Sequence, residues 1–92
     1  MVSKEEFKAE VWEIAEKIHA KPKQIRVRSM KSKVGSCSPR KVITFNDSVP
    51  GFSEIQRREA IIHELLHIRY PHHGKIFKLL LRTYLELGLP SR

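Results

Sequence analysis

Cysteine is nearly missing from this 92-residue chain: Cys37 stands alone, which excludes an internal disulfide and a cysteine-based zinc site. No run of about 18 apolar residues occurs, so a membrane-spanning helix is excluded. The opening MVSKEEFKAE has no apolar signal-peptide core, and the expected location is cytoplasmic. Acidic residues are absent from Lys21 to Lys41, where eight basic ones stand (Lys21, Lys23, Arg26, Arg28, Lys31, Lys33, Arg40 and Lys41). The remainder balances ten basic against ten acidic residues, so this segment carries the whole net charge of +8. Segment 21–41 also lacks aromatics, which argues against stacking on single-stranded bases. Its field nonetheless attracts phosphate backbones or acidic protein, so nucleic acid is a candidate partner, weighed against a solvated strand face that needs none.

What remains fits one small soluble domain over residues 1–92, with 40% hydrophobic and 30% charged residues. A chain this short buries only about 60–65% of its unfolded surface, so a bound metal would add noticeably to its stability. Ser3 with Glu6 reads as a capping box, followed by Phe7, Val11, Ile14, Ala15 and Ile18 at helical spacing, which predicts a helix over 4–19 ended by Lys21-Pro22. From Gln24 the period drops to two, with Ile25 and Val27 alternating with arginines. Val34 to Ser38 is a weaker strand, Ser38-Pro39-Arg40 a turn, and Lys41 to Asn46 the clearest strand. Three short strands with tight links predict an antiparallel meander. After a loop over 46–52, with Pro50-Gly51 as its turn, Ser53 and Gln56 open a helix expected to run from 54 to about 70. Its apolar residues (Ile55, Ala60, Ile61, Ile62, Leu65, Leu66 and Ile68) cover most sides beyond residue 59, which places it centrally. A last helix spans about 75–87, with Gly88 as its left-handed cap. The fold class is therefore α+β.

Histidine is in surplus: four of five copies lie between His63 and His73. His63-Glu64-Leu65-Leu66-His67 is an HExxH pattern, which puts two imidazoles one turn apart on one helix face, where both can reach one ion. Hydrolytic zinc wants three protein ligands and a fourth position for water, whose pKa it lowers towards 7 while a nearby carboxylate takes the proton. Glu64 is placed for that part. Two histidines and a glutamate inside an apolar helix are costly without partners, and a metal with its water supplies them. For the third ligand His73 ranks first, since Pro71 should let the chain turn back. His72 comes second, and Glu86 on the next helix third. Zinc is the default ion for such donors, although nickel or cobalt binds similarly.

HELLHIRYPHHGKIF resembles the zinc-site stretch of SprT-like and YgjP-like (WLM-type) metallopeptidases, in which a third ligand histidine is followed by a small residue and then an aromatic; His73, Gly74 and Phe77 match. Upstream, Ser29 to Ser38 (SMKSKVGSCS) is similar to the YgjP-like segment R-M-K-S-R-W-G-S-C-S, followed by a strand ending in Asn, here Asn46. Val34 replaces the usual tryptophan, and His72 the usual asparagine. The length is similar to that of the minigluzincins, whose third ligand is a glutamate, which is why Glu86 is retained. The resemblance implies a minimal zincin-like domain.

The function expected is a zinc-dependent metallopeptidase that hydrolyses peptide bonds through a metal-bound water, with Glu64 as general base, His63, His67 and His73 as ligands, and a peptide or protein substrate. It would be active, or latent with Leu89-Pro90-Ser91-Arg92 or a neighbouring chain in the cleft. The alternative is a non-catalytic, metal-stabilised module that binds nucleic acid or protein. Tyr70, His72 and Tyr84 are candidates to steady an oxyanion, and Cys37 could send a thiolate to the metal, although a small buried strand residue is the simpler reading.

Overall fold

In the computed structural model, residues 2–88 are described. The elements are α1 (Lys4–Lys17), β1 (Gln24–Arg28), β2 (Gly35–Cys37), β3 (Val42–Asn46), a 3₁₀ turn (Val49–Gly51), α2 (Glu54–Leu66) and α3 (Lys75–Leu87). The capping box opens α1: Glu6 N–H donates to Ser3 Oγ (3.1 Å) and Ser3 N–H to Glu6 Oε1 (3.0 Å). The helix closes with paired bonds from Ala20 N–H to Ala15 O (2.9 Å) and His19 N–H to Glu16 O (3.3 Å). This closing geometry needs a left-handed residue, and His19 takes that conformation at φ 59° where glycine is usual.

The α+β class holds, but the sheet is mixed and not the antiparallel meander expected from the short links. Its order is β1-β3-β2, with β1 parallel to β3 (Ile25 opposite Ile43, Val27 opposite Phe45) and β2 antiparallel to it (Ser36 opposite Thr44). The strand richest in β-branched and aromatic residues takes the centre, where both its edges are paired and Ile43 and Phe45 are fully buried. The segment 29–34 therefore has to cross over the end of β3. Asn46, the last residue of that strand, holds it there: Nδ2 donates to Met30 O (3.0 Å) and Lys33 O (2.8 Å), while Oδ1 accepts from Ser48 N–H (3.2 Å).

Phe7, Val11, Ile14 and Ala15 of α1 meet Ile25, Ile43 and Phe45 of the sheet and Ile61, Ile62 and Leu65 of α2 in one core. Phe7 and Phe45 stack edge to face, with centroids 5.1 Å apart. Ile55, expected on the apolar face of α2, is instead 76% exposed, because the first turn of that helix lies beyond the core. Arg57 joins α2 to α1 through Nε to Glu10 Oε1 (2.7 Å) and reaches Phe52 O through Nη1 (3.2 Å). Among the described residues no helix is long and apolar enough to cross a membrane.

Asn46→Ala is expected to cost about 1–3 kcal/mol, since two carbonyls lose a donor they share. Asn46→Asp should cost as much, because a carboxylate only accepts. Denaturant midpoints for both variants check this, and an unchanged midpoint would mean that the crossover does not depend on Asn46.

Candidate metal centre

Helix α2 starts at Ser53, whose Oγ accepts from Gln56 N–H (3.3 Å), and its regular hydrogen bonding stops at Leu66, short of the predicted residue 70. The chain tightens rather than straightens there. Ile68 N–H bonds Leu65 O and Arg69 N–H bonds Leu66 O (both 3.2 Å), and Tyr70 N–H returns to Leu66 O (2.8 Å). Pro71 then lets the segment double back, and α3 begins at Lys75.

This path brings His63, His67 and His73 together, with their ligand atoms all within 4.8 Å of one another. His67 Nε2 lies 3.3 Å from His63 Nε2 and 2.8 Å from His73 Nε2. The state of His67 follows from its other nitrogen: Nδ1 faces Tyr70 O at 3.2 Å, a carbonyl can only accept, so Nδ1 carries the proton and Nε2 a bare lone pair. Burial lowers the pKa of His63, helped by the neighbouring charges of His67 and His73. Burial also lowers that of His67, against the Tyr70 carbonyl. Both therefore favour the neutral form in which imidazole binds metal. Around a tetrahedral ion with nitrogens at about 2.0–2.1 Å, ligand atoms sit roughly 3.3–3.4 Å apart, so this donor set fits a divalent cation.

Phe77, only 2% exposed, backs the whole cluster: its ring centroid lies 5.2, 4.8 and 4.7 Å from those of His63, His67 and His73. Glu64 is the buried acid among the described residues, at 7% exposure. Desolvation pushes its carboxyl up to about 7, partly countered by the Lys33 ammonium. Gly35 makes room for it. A Cβ there would stand 2.9 Å from Thr44 O and 3.1 Å from Glu64 Cγ, so α2 can approach β2 this closely only over a hydrogen atom. Two concavities of about 580 and 610 Å³ share Lys33, Gly35, His63 and Glu64. The first continues over Val34, Phe52 and Ala60, the second past Cys37, Pro39 and Lys41 to His67 and Pro71. Together they form a cleft with Glu64 at its waist.

Of the other candidates, His72 is exposed and outside the cluster. Glu86 pairs with Arg82 along α3 (3.3 Å) and takes no part in it. Cys37 lines the cleft, but its thiol donates to Ser38 O (3.7 Å); burial and then the charge of Glu64 raise its pKa, which disfavours a thiolate. Tyr70 and Tyr84, candidates to steady an oxyanion, line a cavity other than the cleft. The suggested covering tail, residues 89–92, lies outside the described residues. Sequence reasoning gave Gly35, Lys33 and Phe77 no role at the centre. The Gly35-Ser36-Cys37 run and the aromatic four residues after His73 were the available signals, but neither discloses a contact across the fold.

Compared with known proteins, residues 2–87 match the family described as YgjP-like, metallopeptidase domain. A search of curated proteins finds no match. Among solved structures, the crystal structure of the metallopeptidase zymogen of Pyrococcus abyssi abylysin superposes with a TM-score of 0.72 at 19% identity, over 83% of this chain and 76% of that one.

Phe77→Ala should cost about 3–5 kcal/mol in stability and loosen metal uptake by about 10–100-fold, with Phe77→Leu largely restoring both. Titration with zinc and a chelator tests this, and unaltered uptake in the alanine variant would separate the ring from the site. In the metal-free protein Glu64 keeps its proton up to about pH 7, whereas in the unfolded chain it loses it near 4.5. Stability from this group therefore falls as pH rises through that window. His63 and His67, with lowered values, act in the opposite sense and do so in parent and variant alike. Glu64→Gln should thus gain on the parent between about pH 5 and about pH 8 in urea titrations, and parallel curves would contradict the burial of this carboxyl.

Proposed function

The chain belongs to the YgjP-like metallopeptidase family, and from that premise we propose that it hydrolyses peptide bonds with a zinc ion held by His63, His67 and His73 and with Glu64 as general base. A metallopeptidase acts on a peptide or protein with a metal ion; the choice of zinc, the ligand set and the part of Glu64 are the content of the proposal. What supports them is one juxtaposition: three imidazole nitrogens face one another beside a buried carboxyl, at the waist of a cleft.

A bound divalent ion supplies Lewis acidity, polarising a carbonyl oxygen and making water a stronger acid. Glu64 does the proton work: as carboxylate it takes a proton from the attacking water, and as acid it hands that proton to the departing amine. The buried Glu64 carboxyl shares the cleft with His63 and His67, where it can move a proton in both directions. The free edge of β2 offers the substrate a seat. Asn46 N–H bonds Val34 O and Ser38 N–H bonds Val42 O, so by alternation the N–H and C=O of Gly35 and Cys37 face outwards. An extended peptide can add there as a further strand. Running antiparallel to β2, it would place residues upstream of the scissile bond towards Pro39 and Lys41, and downstream residues over Val34 and Phe52.

Glu64→Gln should retain the metal by elemental analysis and lose about 10²–10⁴-fold in turnover. Unchanged turnover would remove Glu64 from the mechanism and favour the alternative, a metal-stabilised binding module. His73→Ala should lower metal content sharply while His72→Ala leaves it intact, and the reverse result would exchange their roles. Latency is the finer part of the proposal: if residues 89–92 cover the cleft, truncation after Gly88 raises turnover.

A further inference from the structure

A cavity of about 630 Å³ lies where the end of α1 meets the turn after α2 and the middle of α3, beyond the cleft already described. Ile18, Leu65, Leu66 and Leu80 give it an apolar lining, and Lys21, Lys41 and Arg69 supply three full positive charges. No acidic residue lines it. In a chain with ten acidic residues, an apolar hollow with only cations around it is a specific combination.

The cavity adjoins the metal cleft, since Lys41 and Ile68 line both. A chain running antiparallel to β2 passes Cys37 and Pro39 and then reaches Lys41, so its residues upstream of the cleavage point are the ones that arrive here. We propose that this cavity is a docking site for an acidic, leucine-like segment of the polypeptide substrate lying N-terminal to the scissile bond, an assignment that rests on the peptidase reading above. Carboxylates pair with Lys21, Lys41 and Arg69, and aliphatic side chains cover Ile18 and the three leucines. A sugar–phosphate chain would satisfy the charges and leave that apolar lining wet, so the chemistry favours protein over nucleic acid.

The test uses zinc-loaded Glu64→Gln protein and a fluorescein-labelled peptide of about eight residues with alternating glutamate and leucine, against the same peptide with glutamine for glutamate. At low salt the acidic peptide should bind about tenfold more tightly by anisotropy, the effect of two exposed charge pairs. The double variant Lys21→Glu/Arg69→Glu, two exposed positions, should abolish that preference while zinc content and denaturant midpoint stay unchanged. With Glu64 intact, the same double variant should raise KM about tenfold for a substrate carrying the acidic segment upstream, with kcat and a short neutral substrate unaffected. Equal binding of the two peptides, or a preference that survives charge reversal, overturns the proposal. Displacement of the acidic peptide by a tighter-binding single-stranded oligonucleotide overturns it in favour of a phosphate site. Failure to hydrolyse any substrate would defeat the peptidase reading alone, because the binding arm needs no turnover.

Discussion

The Nε2 atoms of three imidazoles form a chain of contacts at 2.8 and 3.3 Å, and nitrogens that close need a proton or a metal cation between them. One of the three has no freedom to escape by changing tautomer, because the Tyr70 carbonyl claims the proton of His67 Nδ1. The neighbouring structure serves this arrangement. Helical spacing fixes His63 against His67, the tightened turn after Leu66 returns the chain, and Phe77 closes the hydrophobic side of all three rings. In so small a core the Phe77 ring limits how far the three side chains can part, and a cation among them would stabilise the fold in return.

The sheet matters to the site mainly through β2, its shortest strand. Because β3 inserts between β1 and β2, β2 is left at an edge, with one row of backbone groups unpaired and α2 lying close by. Unpaired edges invite association. Here the edge borders the cleft that contains Glu64, and on the proposed function the feature that is elsewhere a hazard would align an extended chain with that carboxyl.

Much of this could be read before any coordinates. Helical periodicity, the capping serines, the punctuation by Pro71 and Gly88 and the HExxH spacing are local signals, and most mark an element, or a histidine of the cluster, close to where the structure has it, although α2 ends at Leu66 and not near residue 70. The strand order was not legible. Short links favour neighbours in sequence, but the crossover over 29–34 depends on Asn46 reaching two carbonyls 13 and 16 residues away, which no periodicity encodes. The same limit applies to Gly35, whose necessity appears only when Glu64 Cγ and Thr44 O are seen to converge on its missing side chain. Tyr70 and Tyr84 were left undecided for a related reason: sequence spacing does not tell which cavity a side chain meets.

The basic segment gains a more definite meaning from this geometry than from its charge alone. Lys33, held near the cleft by its own carbonyl on Asn46, lowers the pKa of a carboxyl that burial raises, and the two effects leave Glu64 at about 7. Were the crossover to loosen, the cation would recede and burial would act unopposed, driving the carboxyl further towards its protonated form. The protonation of Glu64 in the metal-free protein is thus tied to a hydrogen bond at the far end of β3. Lys41, from the other end of the same segment, lines both the cleft and the cavity beyond it. Of the eight like charges along this segment, Lys33 acts on the state of one carboxyl, while Lys21 and Lys41 line the cavity beside the cleft.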